Sequence, residues 1–83
     1  MTDTEILEDI KKILHKQFGT DPESIEEDSY FDEDLNINQV ELEDLIATLE
    51  EKYNTKVDPE KNPTFKKVSD LVAYLYESVD ASI

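Results

Sequence analysis

Five side chains between positions 32 and 43 have the spacing of a calcium-binding loop. Asp32, Asp34, Asn36, Asn38 and Glu43 fall at positions 1, 3, 5, 7 and 12 of a twelve-residue loop, which is where oxygen ligands are needed. The rest of the pattern fails. The sixth position requires glycine for a sharp turn and holds Ile37, and the eighth is apolar in such loops and holds Gln39. The segment entering the loop contains Pro22 and no adequate amphipathic helix. No specific metal site is therefore expected, although the carboxylates of Asp32, Asp34 and Glu43 suit loose divalent binding that relieves repulsion.

Other chemistry is thinly represented. There is no cysteine, which removes disulfides, thiolate metal sites and cysteine nucleophiles. His15 is the one histidine, and on a helical wheel it points away from the apolar stripe of its segment, so it reads as an exposed helix residue. No catalytic constellation is present, and the chain is not expected to be an enzyme or to hold a cofactor.

Charge narrows the partners. Acidic residues number 22 against 8 lysines with no arginine, for a net charge of −14 over 83 residues. Phosphate-directed nucleic-acid binding and adsorption to an anionic membrane both need clustered cations, so neither is expected. No apolar run approaches the ~18 residues of a membrane span, and no signal-peptide pattern opens the sequence. A small, acidic, cytoplasmic domain that is monomeric in isolation is the expectation.

The elements that carry these residues are helical. One glycine, three prolines and 37% hydrophobic residues at helical spacing argue for a folded chain rather than a linker. Ile6, Leu7, Ile10, Ile13, Leu14 and Phe18 form a stripe that predicts a helix from Asp3 to Phe18, opened by a Thr2–Glu5 capping box and stopped by Gly19. Residues 20–37 form a long connection in which Ile25, Tyr30, Phe31 and Leu35 suggest ties to the core. Asn38 and Glu41 cap a second helix, Gln39 to Tyr53, with Leu42, Leu45, Ile46, Leu49 and Tyr53 inward. Asp58–Pro59 opens a very short helix that Pro63 closes. Lys66 to Ser78 form the last helix, with Val68, Leu71, Val72, Leu75 and Val79 inward and Phe65 packed just ahead of it. No segment alternates with period two. The expected fold is all-α: one domain over residues 1–83, a bundle of three main helices plus one short helix with a long first loop.

Lysine is absent from position 17 to position 51, a stretch with thirteen acids. On the wheel of the second helix, Asp44 and Glu51 lie opposite the buried stripe, with Val40 and Ala47 beside them. Small apolar residues framed by carboxylates have the make-up of a docking surface, in which charge steers and apolar contacts are buried. A solvated helix face has the same make-up, and the pattern alone does not separate the two.

At this point the sequence resembles the acyl carrier protein family. The stretch FDEDLNINQVELEDLIATLEEKY is similar to the family's Asp-Leu pair, glycine and Asp-Ser-Leu triplet ahead of an acidic amphipathic helix. VDPEKNPTFKKVSDLVAYL is similar to its short third helix and last helix. In that family, 4'-phosphopantetheine is esterified to the serine of the triplet. Here the triplet reads Asn38-Gln39-Val40, so the resemblance puts Gln39 in the serine position, Asn38 in the aspartate position and Asn36 in the glycine position. A carboxamide has no nucleophilic hydroxyl and cannot form that phosphodiester. Ser24, Ser29, Ser69, Ser78 and Ser82 lie elsewhere, and none begins the second helix. The resemblance also implies that Glu41, Asp44, Glu50 and Glu51 dock on basic patches of partner enzymes, with Val40 and Ala47 as apolar contacts. It thus implies a non-catalytic adaptor or regulatory module docking on an enzyme of lipid, fatty acid or polyketide metabolism. The alternative is a genuine carrier of acyl thioesters with an atypical attachment site.

Overall fold

The computed structural model describes residues 2–81, with side chains described as far as Ser78. Three α-helices, α1 (Asp3–Phe18), α2 (Gln39–Tyr53) and α3 (Val68–Ala81), are joined by connections that carry 3-10 segments at Pro22–Ser24 and Pro59–Thr64. The described residues contain no β-strand, only an isolated bridge between Tyr30 and Lys67.

Local chemistry explains both ends of α1. The Thr2 hydroxyl accepts the Glu5 N–H and the Glu5 carboxylate accepts the Thr2 N–H, so two orphan donors are satisfied reciprocally. Gly19 adopts a left-handed φ of 72° and returns its N–H to the His15 carbonyl, a conformation that glycine takes without a Cβ penalty. The same device opens α2. Asn38 accepts the Glu41 N–H at 2.9 Å, and Glu41 accepts the Asn38 N–H at 3.0 Å.

The apolar stripes meet in one core. Ile6, Ile10 and Leu14 of α1, Leu42, Leu45, Ile46 and Leu49 of α2, and Val68, Leu71, Val72 and Leu75 of α3 are buried together. Leu7, Ile13, Phe18 and Tyr53 pack around the edge. Each fully buried aliphatic contributes about 1.5–3 kcal/mol against the chain entropy lost on ordering. Phe65 is buried ahead of α3 and meets the Tyr74 ring edge-on at 5.4 Å between centroids. The side chain of Val79 lies outside the described ones, and Ser82 outside the described residues.

Several elements differ from expectation. α3 starts at Val68, not Lys66. The Asp70 carboxylate accepts both the Lys66 and Lys67 N–H groups, and the Phe31 N–H donates to the Lys66 carbonyl, which keeps the two lysines out of the helix. α3 also runs past Ser78 to Ala81. The 3-10 segment includes Pro63 and closes one residue later, at Thr64. In the long connection Ile25, Phe31 and Leu35 are buried as expected, but Tyr30 is 36% exposed and lies on the surface under the Lys67 ammonium. Ile37 and Val57 belong to the core without having been expected there.

The first loop and α3 are stitched together. The Val68 N–H donates to the Ser29 carbonyl at 3.0 Å and the Ser69 N–H to the Glu27 carbonyl at 2.8 Å. The loop therefore caps the start of α3.

Candidate functional site

The start of α2 is the first region of interest. With Asn38 as cap, Gln39 is the first helical residue and is exposed, and Val40 beside it is 67% exposed. First-turn N–H groups have no intrahelical acceptor, and the helix dipole makes this end partly positive. Gln39 stands at the mouth of a cavity of about 200 Å³. Phe31, Ile37, Leu42, Pro63 and Phe65 supply its apolar lining, while Asp32, Asn38 and Lys66 share the polar rim with Gln39.

Whether a phosphopantetheine arm fits here depends on the attachment atom. The Gln39 side chain ends in a carboxamide, which offers hydrogen bonds but no alcohol to esterify. The residues at the start of α2 therefore do not fit the group. The serines lie elsewhere. Ser29 is buried and its hydroxyl accepts the Glu26 N–H at 2.9 Å. Ser24 donates its hydroxyl to the Asp21 carbonyl at 2.7 Å. Ser69 and Ser78 are half-buried on α3.

The calcium-spaced residues are turned to separate local tasks. Asp34 accepts the Tyr30 N–H at 2.7 Å, Asp32 accepts the Glu33 N–H at 2.8 Å, and Asn38 serves as the cap of α2. Ile37 is in the core and Asn36 is left-handed, with φ 57°. Among the described residues no three acidic or histidine side chains are grouped so as to hold a metal ion.

The outer face of α2 is the second region. Asp44, Ala47 and Glu51 are exposed and line one wall of an open groove of about 390 Å³, whose other wall is Gln17 and Phe18 from the end of α1. Thr48 bridges the two helices: it accepts the Gln17 carboxamide N–H at 2.6 Å and donates to the Asp44 carbonyl at 3.1 Å. The structure thus brings Asp44, Ala47 and Glu51 together. Val40 sits a turn or more toward the helix start. Glu41 is occupied in the capping box, and Glu50 turns to the following loop, accepting the Val57 N–H at 2.7 Å. Gln17, Phe18 and Thr48 were not singled out from the sequence. Phe18 reads as core on the α1 wheel, and nothing local reveals that α1 ends against α2 at Ala47.

His15 is exposed, with its Nδ1 3.2 Å from the Thr20 carbonyl, at the end of α1. No described helix is long and apolar enough to cross a membrane.

An acidic three-helix bundle, with a long first loop that caps the last helix and an exposed start to its second helix, puts the chain among small helical-bundle domains. The comparisons agree. The family model described as "Phosphopantetheine attachment site" matches residues 8–75. An acyl carrier protein from Chlamydia caviae is 37% identical over 68 residues, covering 82% of this chain and 88% of its own. One from Thermosynechococcus vestitus is 33% identical over 81 residues, covering 98% of this chain and 100% of its own. The chain belongs to the acyl carrier protein family. In fold it is similar to the crystal structure of an acyl carrier protein from Thermotoga maritima, with a TM-score of 0.90 at 20% identity over 98% of this chain and 94% of that one.

Proposed function

We propose that this chain is a single-domain acyl-carrier-protein-like module that bears no phosphopantetheine arm. It acts as a cytoplasmic adaptor or regulatory subunit, docking as a monomer on a basic patch of a lipid- or polyketide-type biosynthetic enzyme. The observation that carries the reading is Gln39 as the first residue of α2, where the family's resemblance calls for a serine. Without an alcohol there, the transferase reaction has no nucleophile. Docking is supported by the other half of the pattern, since Asp44, Ala47 and Glu51 are exposed on one face of α2. The relatives named above are acyl carrier proteins, which supports an enzyme of lipid biosynthesis as the kind of partner.

The test is intact-mass measurement of the native protein and of the protein after incubation with coenzyme A and a promiscuous phosphopantetheinyl transferase. The expected result is no mass gain in either sample. A gain equal to one phosphopantetheine group on any residue overturns the proposal and establishes the alternative, a genuine carrier with an atypical site. Docking is checked with the enzyme partner in a binding titration. Asp44→Lys and Glu51→Lys are each expected to weaken association several-fold or more while leaving the helical circular dichroism unchanged, since both side chains are solvent-facing.

A further inference from the structure

We draw no further inference here: the strongest candidate, the cavity of about 200 Å³ between the first loop, the start of α2 and the segment leading into α3, belongs to the site already described, and as a pocket for an acyl chain it restates an established property of the acyl carrier protein family.

Discussion

The hydroxyl of Tyr53, at the last turn of α2, donates a 2.6 Å hydrogen bond to the carboxylate of Asp9, in the second turn of α1. Lys52 reaches the other oxygen of the same carboxylate at 4.0 Å. The pair closes the α1–α2 interface at the end remote from Gln17 and Thr48. Burial, and then the hydrogen bond and charge of Asp9, push the Tyr53 hydroxyl pKa well above its usual 10.0.

Two consequences follow for Tyr53→Phe. At neutral pH the variant loses a hydrogen bond to a charged acceptor and leaves Asp9 partly desolvated, so unfolding free energy falls by about 1–2 kcal/mol in urea titration. The alkaline limb behaves differently. Folded Tyr53 keeps its proton above pH 10 while the unfolded chain releases it, so the unfolded state binds fewer protons and stability declines as pH rises beyond 10. Below that pH this contribution is fully present. Urea midpoints measured from neutral pH to above 10 are expected to fall more steeply in the wild type than in Tyr53→Phe; parallel curves would contradict the assignment.

The turn before α2 depends on Asn36, whose φ of 57° is in the left-handed region. Asparagine tolerates that conformation better than other residues with a Cβ, and β-branched residues tolerate it worst. Asn36→Val is expected to cost about 1–2 kcal/mol. Asn36→Gly is expected to stay within about 0.5 kcal/mol of wild type, because relief of strain offsets greater freedom of the unfolded chain. The comparison is read from urea midpoints. Equal losses in the two variants would show that the Asn36 side chain, not its backbone angle, is what the turn requires.

What the sequence discloses here is mostly what neighbouring residues decide. Thr2 with Glu5 and Asn38 with Glu41 are three residues apart, so both capping boxes and both helix starts are readable directly. Gly19 ends α1 for an equally local reason. The start of α3 is not local: Ser29 and Glu27 carbonyls from the first loop and the Asp70 carboxylate decide it. Tyr30 looks like a core aromatic until Lys67 is found paired to its strandlike backbone and lying over its ring. The surface divides the same way. Asp44, Ala47 and Glu51 share a face by periodicity alone, whereas their meeting with Gln17 and Phe18 depends on how α1 crosses α2.

The position of Gln39 leads to a gain-of-function expectation. The helix start that surrounds it is intact: Asn38 and Glu41 hold the capping box, and the first-turn N–H groups are free of intrahelical acceptors. A serine hydroxyl placed there would be exposed, and a phosphate esterified to it would lie against the positive end of the helix dipole. Gln39 contributes no hydrogen bond to the cap, so Gln39→Ser is expected to fold with stability within about 0.5 kcal/mol of wild type, the usual range for a surface substitution. Incubated with coenzyme A and a promiscuous transferase, the variant is expected to gain one phosphopantetheine group by intact mass, with the tryptic fragment containing residue 39 carrying it. Wild type treated in parallel stays at its original mass. If Gln39→Ser also stays unmodified, Asn38→Asp is added to it, since Asn38 and Val40 are the departures flanking the position that the resemblance assigns to the serine. Failure of the double variant would show that the absent alcohol is not the sole barrier, and that the surface around α2 no longer admits the transferase.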